Sequence, residues 1–385
     1  MKLEVALRFA PTDELLVGTL TQLARDIAFE FAPSFIGSPL PIAPFRLPAR
    51  AGVQLYDRSR GGELFGLFDD SLPDGWGRRL LDVVFQKQRA RVPTSLERLA
   101  CVGLRGMGAL VYRPVMEIDE SLDEMFDLAT LATNAMAFDA GKAENVLPEV
   151  RRAGGSSGGA RPKINVGFNP STGSICPETE VLADGFEHWL IKFPNQQDGP
   201  QAGINEWRYA QMAIAAGVEM SACQLIETSA GTFFATRRFD RTPDGKRCHF
   251  ASAAGLLDVD YRIPGNEYRM LFRLTDLLTH DYEAKKELFR RAALNVLAHN
   301  RDDHLKNFGF LMDNEGTWRL APFYDFTYST GPNGWQTLSV AGEGQNPNEK
   351  DLLRLANEVN LDLKDAHDIL QCVTDAIAYA NNSIR

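Results

Sequence analysis

Apolar and polar positions alternate in the first part of the chain and fall into helical spacing in the last. Leu3, Val5 and Leu7 alternate with Glu4 and Arg8, and Ile27, Phe29 and Phe31 do the same around Glu30. This is the period-two signature of half-buried strands. Pro33, Pro39, Pro41, Pro44 and Pro48 then punctuate an extended, turn-rich stretch. After Pro73-Asp74, the residues Leu80, Leu81, Val84 and Phe85 share one face of an amphipathic helix. Thr94-Ser95-Leu96-Glu97 and Ser121-Leu122-Asp123-Glu124 read as capping boxes, in which hydroxyl and carboxylate satisfy orphan N–H groups. Between them Gly106–Tyr112 reads as a strand entered through glycines.

Further strands are expected at Lys163–Phe168, Trp189–Phe193, Gln224–Thr228 and Thr232–Phe239. A helix opening at Asn205, with Trp207, Met212 and Ala215 inward, sits among them. From Asn266 the spacing predicts helices over Tyr268–Thr279, Tyr282–Ala298, Lys350–Val359 and Leu363–Asn381. A strand-rich part followed by a helical part implies an α+β chain of two lobes rather than a doubly wound sheet.

Composition narrows the function classes. At 385 residues the chain is long enough for two or three domains. Hydrophobic residues at 44% and charged residues at 24% exclude a disordered or collagen-like chain. With 51 acidic against 41 basic side chains, the formal charge of −10 opposes direct attraction to nucleic acid or anionic lipid. Five cysteines without a CxxC pair resemble neither a disulfide framework nor a zinc site. Glu4 and Arg8 interrupt any signal-peptide core, and no apolar run reaches membrane-spanning length. The expected location is the cytoplasm, with no membrane partner.

The densest chemistry is His299-Asn300-Arg301-Asp302-Asp303-His304-Leu305-Lys306-Asn307, set between apolar flanks. Phe308–Met312 reads as a short strand, Asp313–Gly316 as a turn, and the chain then returns through Trp318 to Asp325. Such a hairpin brings Asp325 back beside Asp302 and Asn307. Phosphoryl transfer in kinases needs this set: one Asp to orient a hydroxyl, and an Asn and a second Asp to hold Mg²⁺. A solvated turn is the bland alternative, but turns so loaded with ionisable groups between core segments are more often sites. Gly154–Ala160 is a glycine- and serine-rich loop flanked by Arg151, Arg152, Arg161 and Lys163. Ala160 stands where a Walker loop needs Lys, so its use would be as a nest of backbone amides over an anion.

These segments together resemble the HipA-type serine/threonine kinases, the toxin component of HipBA toxin–antitoxin modules. The resemblance rests on Asn300–Asn307 with Leu320–Asp325, on Ser156–Lys163, on Leu190–Pro194 and on Arg238–Arg241. Leu72-Pro73-Asp74 and Val102-Gly103 with Gly108–Leu110 are similar to the family's accessory subdomain. It implies an accessory subdomain over residues 1–115, a kinase amino-terminal lobe over 116–250 and a helical lobe over 251–385. It implies ATP and Mg²⁺ as cofactors, with Asp302 as catalytic base and Asn307 and Asp325 as metal ligands. Gly158, Gly159, Ala160, Arg161, Lys163, Lys192, Arg237, Arg238, Phe239, His304 and Tyr324 would line the ATP site. Glu206 would pair with Lys192 as a kinase helix glutamate does. Ser156, with Ser157 as the neighbouring alternative, would be an autophosphorylation site. Implied partners are a protein substrate such as an aminoacyl-tRNA synthetase, a HipB-like helix-turn-helix antitoxin, and DNA only through that antitoxin.

Two rival readings stay open at the level of sequence. His280-Asp281 and His367-Asp368, joined by His299 and Asp302, could hold a transition metal as in an HD-type phosphohydrolase. Alternatively the chain binds nucleotide or antitoxin without transferring phosphate. His188, His249 and His367 have no nearby partners at metal spacing and read by themselves as structural or surface residues.

Overall fold

The computed structural model describes residues 1–24, 26–116, 127–142, 146–154, 159–263 and 265–383. The second expected capping box, at Ser121–Glu124, lies outside them, as do Ser156, Ser157 and Gly158. Its architecture is α+β, with three antiparallel sheets and a helical carboxy-terminal lobe.

The amino-terminal sheet contains β1 (Lys2–Ala10), β2 (Asp13–Gln22), β3 (Ile27–Phe31), β4 (Val53–Leu55) and β5 (Leu110–Arg113), in the order β4-β3-β2-β1-β5. Alternation sets its inner face: Leu3, Val5, Leu7 and Phe29 are fully buried while Glu4 and Glu30 face out. The helix Gly75–Arg89 buries Leu80, Leu81, Val84 and Phe85 as their spacing requires, Leu80 in the apolar cluster that includes Ile164 and Val166, and Leu81 and Phe85 beside Cys101. Helix Ser95–Val102 opens at Thr94, whose hydroxyl and the Glu97 carboxylate form the anticipated reciprocal cap.

The second sheet holds β6 (Lys163–Phe168), β7 (Ile175–Pro177), β8 (Glu187–Lys192), β9 (Cys223–Thr228) and β10 (Gly231–Arg237), in the order β7-β6-β8-β10-β9. Its register decides the chemistry of one face, because Lys163 and Phe234 both stand opposite Lys192 on β8. The helix Ala202–Ala215 lies close to β10: a Cβ on Gly203 would meet the Thr232 carbonyl oxygen at 2.8 Å and the Phe234 nitrogen at 2.9 Å. The expectation of Trp207 and Ala215 as inward residues needs correction. Trp207 is half-buried and Ala215 exposed, and the inner face is Gly203, Glu206, Ala210, Met212 and Ala213.

The third sheet is small: β11 (His249–Ser252), β12 (Gly309–Met312) and β13 (Trp318–Leu320). It packs into the helical lobe built by Tyr268–Thr279, Tyr282–Leu297, Glu349–Glu358 and Leu363–Ser383, whose core includes Leu271, Phe272, Phe289, Leu294, Leu355 and Val373. Among the described residues no helix is long and apolar enough to cross a membrane.

Candidate active site

A cleft of about 810 Å³ opens between the second sheet and the helical lobe, and residues of the amino-terminal region also line it. Its upper wall is the lysine face of the second sheet. The Lys192 ammonium is bonded on one side to Glu206 Oε1 at 2.5 Å and on the other to Asp325 Oδ1 at 2.7 Å. Helix packing through Gly203 is what brings Glu206, one turn later, onto this lysine. Burial alone would discharge Lys192, but the two carboxylates outweigh it and hold the ammonium charged well above the ordinary lysine range. Lys192 in turn drives the Asp325 carboxyl far below its usual value, with Lys163 and Arg161 adding to the effect against burial. Lys163, buried beside Lys192, is lowered by desolvation and by that neighbouring charge. Arg161 binds Asp198 at 2.9 Å and comes within 3.6 Å of Glu206.

The lower wall is the loop His299–Asn307. It is shaped by hydrogen bonds rather than by regular structure. Asn307 donates from Nδ2 to the Asp302 carbonyl oxygen at 2.8 Å, fixing these two residues relative to each other. Asn300 Oδ1 accepts from the Asp302 amide at 3.3 Å, and Asn300 itself donates to Asn295 of the preceding helix. Asp303, fully buried, turns away from the cleft. It accepts from the Tyr268 hydroxyl at 2.5 Å and from the amides of Thr337 and Leu338 at 3.1 and 3.2 Å. Burial pushes its carboxyl up to about 6 in spite of these donors. Asp302 is open to the cleft. The surrounding protein raises its carboxyl above the ordinary range, His304 at 3.9 Å opposes that shift, and Asp325 adds to it.

Asp325 arrives as the hairpin β12–β13 predicts, in the segment that follows the return strand Trp318–Leu320, and with a left-handed backbone at φ 57°. Tyr324 beside it donates its hydroxyl to the Lys306 carbonyl at 2.7 Å, closing the return segment onto the loop. Phe239, Phe250 and Tyr324 form an aromatic wall, with Phe239 and Tyr324 centroids 5.7 Å apart. His304 packs on Tyr261 at 4.7 Å.

The expected site residues therefore converge, with qualifications at the hinge and the loop. Gly159, Ala160, Lys163, Lys192, His304, Asn307, Tyr324, Asp302 and Asp325 all line the cleft, as do Arg237, Arg238 and Phe239. Arg237 points its side chain at Glu187 on the surface, and the Arg238 guanidinium is committed to Asp240 at 2.8 Å and Glu178 at 3.0 Å. Asp74, Tyr261 and Phe250 are among the cleft-facing residues that the sequence reading does not assign to the site. Asp74 was noted only as part of an accessory motif; its link to the site spans 232 positions and carries no local signal.

The rival metal site does not assemble. His280 and Asp281 are exposed and terminate and open successive helices, His367 is exposed on the last helix, and no group of three metal-binding side chains occurs among the described residues. His188 is structural, as expected: it is buried against Glu178 at 3.0 Å.

Residues 11–113 match the HipA N-terminal domain, and residues 155–380 match the HipA-like C-terminal domain. The chain belongs to the HipA family. The fold agrees: HipA of Shewanella oneidensis, solved with HipB and its operator DNA, superposes with a TM-score of 0.72 at 17% identity, covering 98% of this chain and 90% of that one. A curated protein of Sinorhizobium fredii, Y4dM, whose name classes it provisionally as a kinase, is 31% identical over 153 residues. That match spans 36% of this chain and 36% of the relative.

Proposed function

We propose that the chain is an ATP- and Mg²⁺-dependent protein kinase of the HipA type that phosphorylates serine or threonine hydroxyls. The observation that carries the reading is the placement of Lys192 between Glu206 and Asp325 on one wall, across from Asp302 and Asn307 on the other. The donor set suits the implied cofactors: carboxylate and amide oxygens of Asp325 and Asn307 are hard ligands for Mg²⁺, and Lys163 and Lys192 offer buried positive charge to phosphates. When bound, the nucleotide supplies the transferable phosphoryl group and the metal neutralises its charge.

The chain's own residues do the remainder. Lys192, held in place by Glu206, orients phosphate oxygens. Asp302 lies on the open side of the loop, where its carboxylate can accept a hydrogen bond from the incoming hydroxyl and aim it in line. Its raised carboxyl makes it a better proton acceptor than a fully solvated Asp. Phe239, Phe250 and Tyr324 offer a flat apolar bed for a purine, with backbone at the hinge available to its edge.

The same reading extends to a protein serine as acceptor, with an aminoacyl-tRNA synthetase as the substrate class to try first, and to Ser156 or Ser157 as an autophosphorylation site. A HipB-like antitoxin is the proposed protein partner, bringing DNA only indirectly, and the cytoplasm is the proposed location. Residues 1–115, 116–250 and 251–385 serve as accessory, upper and lower units. The test is incubation of the pure protein with γ-labelled ATP, with and without Mg²⁺, followed by phosphopeptide mapping. Metal-dependent label on serine or threonine supports the reading. ATP binding with no label transferred would favour the non-catalytic alternative.

A further inference from the structure

The loop that enters helix Gly75–Arg89 reaches from the amino-terminal region into the cleft, and its contacts there fall on both walls. Asp74 Oδ1 accepts a short hydrogen bond from the Gly159 amide, at the exit of the glycine-rich segment. Asp74 Oδ2 lies 3.4 Å from the Lys306 ammonium, in the loop that carries Asp302. The grip on Gly159 is two-sided, because the Trp76 amide donates to the Gly159 carbonyl at 3.1 Å. Gly75 between them has φ +41°, and a Cβ there would meet the Gly159 oxygen at 2.6 Å and Ala160 Cα at 2.7 Å. Backbone therefore lies directly on backbone. Lys306 is largely buried, and the carboxylates of Asp70, Asp74 and Asp69 keep it charged against desolvation.

We propose that Asp74 is a positioning residue of the phosphotransfer site, acting through Gly159 and Lys306. Its catalytic consequence rests on the kinase reading; its structural grip does not. One carboxylate spans the two walls, so it sets the spacing at which the Gly159 amide and the Lys306 ammonium are presented to an anion between them. Losing that spacing displaces donors without removing them, and misplacement of about 1 Å costs roughly 100-fold in rate. Adenine and ribose contacts, made elsewhere in the cleft, would persist.

The experiment uses the full chain and three variants. Asp74→Ala removes both contacts, Asp74→Asn keeps an acceptor for Gly159 but loses the charge facing Lys306, and Gly75→Ala pushes Gly159 away while leaving the carboxylate. Hydrogen exchange by mass spectrometry reads the Gly159 amide without requiring activity, and steady-state kinetics read kcat and KM for ATP. We expect Gly159 to exchange about 10-fold faster or more in Asp74→Ala and to stay protected in Asp74→Asn. We expect kcat to fall about 10- to 100-fold in Asp74→Ala and Gly75→Ala with KM for ATP within about 3-fold, and Asp74→Asn to recover part of the loss. Unchanged exchange at Gly159 in Asp74→Ala overturns the proposal, as does faster exchange with unaltered kcat. If the wild-type chain transfers no phosphate, the kinase reading falls, and the exchange result alone decides the grip.

Discussion

Replacing Asp240 by alanine leaves two buried guanidiniums with one carboxylate between them, and the cost can be worked from the contacts around it. Asp240 is fully buried and accepts from Arg238 at 2.8 and 3.0 Å, from Arg241 at 3.4 Å and from the Gly108 amide at 2.7 Å. Glu178 is the second carboxylate of the cluster, 3.0 Å from Arg238 and 3.6 Å from Arg241. Two carboxylates thus face two guanidiniums, and the cluster is neutral. Desolvation would protonate both acids; the arginines reverse this, holding Glu178 at about 2 and Asp240 lower still. Asp240→Ala leaves a net positive charge out of water and an unsatisfied Gly108 amide. Breaking a buried pair in this way costs about 3–5 kcal/mol. With an m-value near 3 kcal/mol/M, the urea midpoint should fall by about 1 M or more.

The double variant Asp240→Ala, Arg238→Met removes one charge of each sign and restores neutrality between Glu178 and Arg241. It should be more stable than Asp240→Ala alone, a coupling of opposite sign to simple addition. Urea unfolding followed by tryptophan fluorescence measures all three proteins. A loss under about 1 kcal/mol for Asp240→Ala, or a double variant weaker than the single, would refute the argument from buried charge balance. The cluster also matters for the site. Arg238 and Arg241 both bond the Gly106 carbonyl, so it ties the amino-terminal region to the hinge of the cleft.

Other consequences can be read from the same contacts. Glu206→Gln removes one of the two carboxylates on Lys192 and leaves Asp325 drawn onto the lysine alone; kcat/KM for ATP should fall about 10- to 100-fold, measured by steady-state phosphotransfer. Gly203→Ala would add about 1 kcal/mol on helix propensity, but its Cβ meets β10 backbone at 2.8 Å, so lower stability and a higher KM for ATP are expected. Asp303 titrates near 6 in the fold against 3.8 in the unfolded chain. Its favourable contribution is complete below about pH 4 and is given up as pH rises through 6. Unfolding free energies of wild type and Asp303→Asn between pH 4 and 8 should diverge in favour of Asn by up to about 3 kcal/mol, then run parallel above pH 7.

What could be read in advance divides along the distance over which residues cooperate. Lys163 and Lys192 were legible because each ends or begins a clear strand, and antiparallel pairing then sets them abreast. Asp302, Asn307 and Asp325 were legible because a five-residue spacing and a single hairpin join them. Glu206 was identifiable only as one helix-opening carboxylate among many; the close approach at Gly203 that aims it is a tertiary fact. Strand β2 escaped notice because Leu15, Leu16 and Val17 are consecutive, and Leu16 spends its apolar surface in solvent, so no alternation marks it. Arg238 looked like a nucleotide contact, yet the Asp240 two residues on claims its guanidinium. Asp74 and Tyr261 reach the cleft from segments with no local mark of chemistry.

The most direct test of the central claim compares wild type with Asp302→Asn in one assay, scoring transfer of γ-label to protein in the presence of Mg²⁺ and, in parallel, nucleotide binding by calorimetry. The account predicts label on serine or threonine for wild type, loss of at least about 1,000-fold in transfer for Asp302→Asn, and ATP affinity within a few-fold of wild type for both. Label that persists in Asp302→Asn, or wild-type protein that binds ATP and labels nothing, would contradict it.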